Sequence, residues 1–182
     1  MEKMVFGQLP IDPKALATEV ISAVRSQKSD SSPDWTRAVK EVLRRCGEER
    51  DFAVHTALRG REKQHYEWLL DLLWCNRTTG SVSLAVESEW GGEEDVLYDF
   101  SKLLVMKAPL KLMVYFAYKG SFVARFEKEY LSAFDHHVKG EQYLLVEFQG
   151  LKDRSYLYEV PNDGTVSSVR FSELNLERGT TA

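Results

Sequence analysis

The sequence predicts a single mixed α/β domain in which helices flank a central mixed sheet. Its 182 residues are enough for one hydrophobic core, and 43% hydrophobic with 29% charged residues is typical of neither disordered nor membrane proteins. Segments with helical period also alternate with strand-like runs along the chain. We expect one domain over residues 1–182, with a helical part at 1–47, a core at 48–118, and a helix and strands at 119–176.

Two helices are predicted before the sheet. Asp12 and Ser32 are each followed by proline, the pattern of a cap residue and a first helical turn. The apolar stripes that follow are Leu16, Val20, Ile21 and Val24 in the first helix, and Trp35, Ala38, Val39, Val42, Leu43 and Cys46 in the second. We expect the basic residues of the second helix to be solvated; they are Arg37, Lys40, Arg44 and Arg45.

The sheet is expected to begin with a strand over residues 52–58. Residues 66–75 are apolar on both faces and predict a central strand containing Asp71. A turn at 76–80 leads to an antiparallel return strand at 81–90. Further along we expect a helix at 93–107 ended by Pro109, a strand at 110–118, a helix at 121–137, a strand at 143–148, and a hairpin of residues 155–160 and 165–171.

Charge and cysteine content exclude several function classes. Residues 1–63 carry 12 Lys/Arg against 10 Asp/Glu, and residues 64–182 carry 12 against 18, so the chain lacks the basic footprint of a tight duplex binder acting as a monomer. Cys46 and Cys75 have no CxxC spacing, which disfavours a disulfide framework or a zinc site. No apolar run approaches the roughly 18 residues of a membrane span, and no secretory signal opens the sequence, so we expect a cytoplasmic protein.

An acidic cluster is predicted on the second and third strands. Glu87 and Glu89 point the same way because side chains alternate along a strand. If the hairpin turn centres on Thr78, Asp71 lies opposite residues 85–87, within reach of both glutamates. Clustered carboxylates destabilise a fold unless a cation neutralises them, and carboxylate oxygens suit Mg²⁺ or Mn²⁺. Such sites bind phosphate oxygens and activate water, which indicates metal-dependent hydrolysis.

These residues resemble the core of the PD-(D/E)XK restriction-endonuclease-like superfamily. The similarity covers roughly residues 35–118 and is carried by the segments LDL at 70–72, AVESE at 85–89 and DFSK at 99–102. It implies a nuclease that acts on nucleic acid, with Asp71 and Glu87 as metal ligands. Glu89 stands in the place of the usual lysine and would help as a third ligand. The similarity further implies Lys102 as a displaced lysine, Glu41 as an additional acid, and a homodimer.

Two alternatives stay open on the sequence alone. The acids could instead protect an exposed sheet edge from aggregation. On the same fold the chain could also be a non-catalytic module that binds a protein through its acidic face or its C-terminal hairpin. The pair His136 and His137 is expected to complement helix carbonyls rather than to bind a ligand.

Overall fold

The computed structural model describes residues 9–28, 31–56, 69–150, 152–161 and 170–174. Within them the predicted mixed α/β class is confirmed. In these residues seven strands form one sheet whose spatial order follows the chain. They are β1 (Phe52–Thr56), β2 (Leu72–Asn76), β3 (Val82–Glu89), β4 (Leu110–Phe116), β5 (Gln142–Gln149), β6 (Lys152–Glu159) and β7 (Arg170–Leu174).

The sheet is antiparallel at both sides and parallel in the middle. β1, β2 and β3 pair antiparallel, β3, β4 and β5 pair parallel, and β5, β6 and β7 pair antiparallel. Parallel neighbours need a crossover connection. Helix α3 (Glu93–Val105) connects β3 to β4, and the short α4 (Val123–Arg125), continued by a π-helical segment at Phe126–Leu131, lies between β4 and β5.

Helices cover both faces of this sheet. Helices α1 (Pro13–Arg25) and α2 (Ser32–Glu48) pack on one face, where Leu16 and Leu43 meet Leu72 and Val86 of the sheet. Helix α3 and the π-helical segment pack on the other face. The two faces therefore carry separate cores, as the apolar pattern of the central strands predicts. Among the described helices, none is long and apolar enough to cross a membrane.

Helix α2 approaches the sheet closely at Gly47. A Cβ atom at this position would lie 2.6 Å from Nε1 of Trp74 and 2.7 Å from Cγ2 of Val54. Trp74 cannot easily yield, because it is fully buried and its indole N–H donates to the carbonyl of Leu43 at 3.0 Å. The absence of a side chain at residue 47 therefore sets how close the helix lies to β1 and β2.

We expect Gly47→Ala to lower the free energy of unfolding by about 1–3 kcal/mol, the usual cost of overpacking. Helix propensity alone predicts the opposite sign, a gain of about 1 kcal/mol. Urea denaturation followed by tryptophan fluorescence measures the difference. A variant as stable as the parent chain, or more stable, would show that Trp74 can move aside.

The predicted second strand was too long. β2 begins at Leu72, Asp71 lies in a bend before it, and residues 66–68 lie outside the described part of the chain. The reason is the aspartate itself. Its Oδ2 accepts the backbone N–H of Ser88 at 2.9 Å, so a side chain takes the place that a carbonyl of a continuing β2 would occupy.

The predicted helix at 121–137 was also too long. The helical part covers residues 123–131, and its last six residues form the π-helical segment. Beyond it the chain turns back, and Nε2 of the buried His137 lies 2.8 Å from the carbonyl oxygen of Leu131. His137 does meet a helix carbonyl, as expected, but from inside the core rather than from a solvated last turn.

The C-terminal strands differ from the prediction in extent. β6 begins at Lys152, directly after a turn in which Gly150 has a φ of 56°, so β5 and β6 form a tight hairpin. β7 pairs with β6 from residue 170, and residues 162–164 of the predicted turn lie outside the described residues. A glycine at positive φ is the feature that favours this earlier turn.

Candidate functional site

The register of the β2–β3 hairpin places Asp71 beside Glu87. Leu72 pairs with Val86 in this antiparallel pair. The preceding residue, Asp71, would therefore face Glu87, as the sequence predicts. The two carboxyl groups are close enough for the charge of Asp71 to contribute to the raised pKa of Glu87. This position is the C-terminal end of β3, next to a parallel neighbour, where open α/β sheets commonly bind ligands.

Both oxygens of the Asp71 carboxylate are hydrogen-bonded. Oδ1 forms an ion pair with Nζ of Lys40 at 2.9 Å. Oδ2 accepts the backbone N–H of Ser88 at 2.9 Å and its hydroxyl at 2.7 Å. The carbonyl of Asp71 accepts the hydroxyl of Thr56 at 2.9 Å. The aspartate is thus held by β1, β3 and α2, although it is not part of a strand.

Glu87 is a buried carboxyl group on the face of the sheet covered by α3. Its side chain is only 4% exposed and forms an ion pair with Lys102. Burial raises the pKa of Glu87 to about 8; the charges of Asp71 and Asp99 also raise it, while Lys102 opposes the increase. The pKa stays high because the loss of hydration raises the free energy of the ionised carboxylate by more than one ion pair lowers it.

Lys102 connects β3 to α3. Besides Glu87, its Nζ contacts Oδ1 of Asp99 at 2.8 Å and the carbonyl oxygen of Leu69 at 3.3 Å. Burial alone would lower the pKa of Lys102, but the hydrogen bonds and charges of the two acids outweigh it and raise the pKa. The side chain is 19% exposed, so the ammonium group is both held in place and reachable from solvent.

Two predicted residues lie away from this cluster. Oε1 of Glu89 accepts the backbone N–H of Gly91 at 2.5 Å, so this carboxylate caps the turn that leads into α3. Burial raises the pKa of Glu89, and the charge of Asp99 also contributes. Glu41 is exposed and lines an outer groove between α1 and α2. Their predicted roles as a third ligand and an additional acid stay predictions.

Helix α2 contributes a lysine rather than the expected acid. Lys40 was expected on the solvated face, yet it is 6% exposed and reaches Asp71. A signal existed in the sequence, since this lysine follows the apolar pair Ala38 and Val39 and precedes Val42 within the stripe. Periodicity alone does not distinguish a buried lysine at the margin of a stripe from one that snorkels to solvent.

Sequence reasoning also missed Ser88 and Asp99 as parts of the site. The spacing of three residues between Asp99 and Lys102 is a recognisable helical ion pair, and the structure contains it. The role of Ser88 depends on the bend at Asp71, which no local pattern indicates. The structure therefore brings together Asp71, Glu87 and Lys102 and adds these partners.

The cluster is a set of carboxylates matched by lysines from two helices. In the described part of the chain, no three or more His, Cys, Asp or Glu side chains are grouped to hold a metal ion. Together, fold and cluster define a mixed α/β protein with a carboxylate and lysine centre at the end of β3. Comparison of the chain with models of known protein families, with curated proteins and with solved structures found no match.

Proposed function

We propose that the chain is a divalent-metal-dependent phosphodiester hydrolase of the PD-(D/E)XK type that acts on nucleic acid in the cytoplasm. Asp71 and Glu87 would be ligands of Mg²⁺ or Mn²⁺, and Lys102 would face the substrate phosphate. One observation supports this most: the buried Glu87 of β3, Asp71 in the bend before β2 and Lys102 of α3 lie together at the end of β3.

The donor atoms present fit such an ion. Glu87 is buried near two other carboxylates, so its negative charge is costly there and a cation would relieve the cost. Mg²⁺ is usually bound by only one or two carboxylates, with water and substrate phosphates completing the shell. Two carboxylates at the end of β3 are therefore sufficient for Mg²⁺. The described residues contain no group of three or more His, Cys, Asp or Glu side chains arranged to hold a metal ion.

The protein's own groups have distinct tasks in this proposal. Bound Mg²⁺ would supply a Lewis acid and a reactive water. Lys102 is held by Glu87 and Asp99, so its ammonium stays where negative charge develops on the phosphate oxygens. Burial raises the pKa of Glu87 to about 8, so a cation that binds this carboxylate competes with a proton near neutral pH.

The test is cleavage of labelled DNA and RNA, single- and double-stranded, by the full chain with Mg²⁺, with Mn²⁺ and with EDTA. We expect cleavage only with the metal, and a loss of about 100-fold or more in Asp71→Asn, Glu87→Gln and Lys102→Met. The matched control is Glu48→Gln, which removes an exposed acid that is also paired with a cation, Arg44. Full activity in Glu87→Gln would refute the proposal.

A second candidate is the non-catalytic protein-binding module, and one observation favours it. Asp71 and Glu87 each already have a lysine partner, as in a fold that keeps these acids without using a metal. Thermal unfolding with and without metal separates the candidates. A metal present at 100 times its Kd adds about 2.7 kcal/mol of stability. An unchanged melting temperature at 10 mM Mg²⁺ or Mn²⁺, together with no cleavage, favours the module.

A further inference from the structure

Lys40 is a buried lysine on helix α2, whose other buried residues are apolar side chains and Gly47. Its side chain is 7% exposed, and its Nζ lies 2.9 Å from Oδ1 of Asp71. Lysine is rarely buried to this degree, because an ammonium group loses much of its hydration there. An apolar side chain at residue 40 would pack against the sheet at less cost. The ion pair with Asp71 is therefore better explained by a role in the proposed metal site than by a contribution to stability alone.

The contact uses an oxygen that a metal would need. Oδ2 of Asp71 accepts two hydrogen bonds from Ser88, so Oδ1 is the oxygen with fewer protein donors, and Lys40 is placed on it. Lys102 stands in the same relation to Glu87 on the other side of the sheet. Asp71 and Glu87 thus each have a lysine partner.

Among the described residues, these lysines nearly balance the charges of the cluster. When ionised, Asp71, Glu87 and Asp99 carry three negative charges, and Lys40 and Lys102 carry two positive ones. A divalent cation added to this partly buried group leaves an excess of positive charge. One phosphodiester of a substrate would remove the excess. Without Lys40, the remaining protein charges would neutralise the divalent cation, and no substrate phosphodiester would be needed for balance.

We infer that Lys40 is the resident counter-cation of Asp71: it holds this carboxylate in place and keeps the affinity of the site for a divalent metal low until a phosphodiester substrate is present. The inference rests on the proposed function, because it concerns the same metal site. It adds a residue that sets metal affinity and couples metal binding to the substrate. Coupling of this kind is reciprocal, so metal also tightens substrate binding.

The probe is Mn²⁺ alone, titrated into the full chain while free Mn²⁺ is measured by electron paramagnetic resonance. We expect Lys40→Met to bind Mn²⁺ about 10-fold more tightly or better than the parent chain, because a positive charge next to the ion has been removed. Lys40→Gln, which keeps a hydrogen-bond donor for Asp71, should show the same direction if Lys40→Met folds poorly. Lys40→Arg, which keeps the charge, should bind as the parent does.

Two controls separate this role from general electrostatics. Arg37→Met removes an exposed charge one turn away on the same helix and should leave Mn²⁺ affinity unchanged. In an Asp71→Asn background, Lys40→Met should no longer tighten binding, since the lysine acts through this carboxylate.

Three outcomes contradict the inference. Equal Mn²⁺ affinity in the parent, Lys40→Met and Lys40→Gln proteins, with binding present, refutes the role of Lys40 and leaves the proposed function standing. Equal tightening by Arg37→Met does the same. If no variant binds Mn²⁺ at all, both the inference and the proposed function fail together.

Discussion

Replacing Lys111 by methionine should lower the free energy of unfolding by about 3–5 kcal/mol. Lys111 is 1% exposed, and its Nζ contacts Oε2 of Glu141 and the hydroxyl of Tyr143, each at 2.9 Å. Nδ1 of His137 lies 2.7 Å from Oε1 of the same glutamate. Removing the lysine leaves a carboxylate inside the protein without its cation, which is the most costly kind of substitution in a core.

The pKa directions agree with a network that depends on its members. Burial lowers the pKa of Lys111, against the attraction of Glu141. Burial alone would raise the pKa of Glu141, but the hydrogen bond to His137 and the charge of Lys111 outweigh it and lower the pKa. Both groups would otherwise prefer to be neutral. The ion pair therefore holds only while both partners are present.

Urea denaturation of Lys111→Met measures this effect, with Lys107→Met as the matched control. Lys107 is an exposed lysine four residues earlier in the chain, and its replacement should change stability by less than about 0.5 kcal/mol. Adding Glu141→Gln to Lys111→Met should recover part of the loss, because no charge then stays unpaired. A loss below 1 kcal/mol in the single variant would show that solvent reaches Glu141.

The second large effect is a fall in stability as pH rises, caused by Glu87. The ordinary pKa of a glutamate is 4.5, and burial raises the pKa of Glu87 to about 8 in the folded protein. Between these values the folded state binds a proton that the unfolded state has released, so stability decreases with rising pH. The contribution is fully present below pH 4.5 and is lost above pH 8. Its slope within the window is at most about 1.4 kcal/mol per pH unit.

Chemical denaturation of the parent chain and Glu87→Gln at pH 5, 6, 7, 8 and 9 tests this. The glutamine has no proton to lose, so the stability of Glu87→Gln relative to the parent should increase steadily from pH 5 to pH 8. Glu48→Gln replaces an exposed acid that is paired with a cation. Its stability should change with pH in the same way as that of the parent chain. Parallel curves for Glu87→Gln would mean that Lys102 keeps Glu87 ionised across the range.

Much of the fold follows from local patterns that act over a few residues. The cap at Asp12, the helical stripes and the β2–β3 turn were predictable because period and turn chemistry depend only on near neighbours. The cap of α2 is Ser31 and not the expected Ser32, which is the first residue of the helix. The hairpin register that placed Asp71 opposite residues 85–87 agrees with the observed pairing of Leu72 with Val86 for the same reason. Two of the candidate site residues therefore came from sequence alone, and Lys102 came from a family resemblance.

The rest was decided by contacts between distant segments. Lys40 becomes a site residue only when α2 packs on the sheet beside Asp71, Ser88 becomes one through the bend at Asp71, and His137 meets the carbonyl of Leu131 inside the core. The periodicity of the sequence reports only on near neighbours and therefore does not predict contacts between distant segments. By itself the sequence determined the class of fold and brought Asp71 and Glu87 together, but it also expected Glu89 beside them and missed Asp99. The tertiary structure decided that Asp71 and Glu87 are each matched by a lysine, because the environment of a buried charge depends on which elements pack around it.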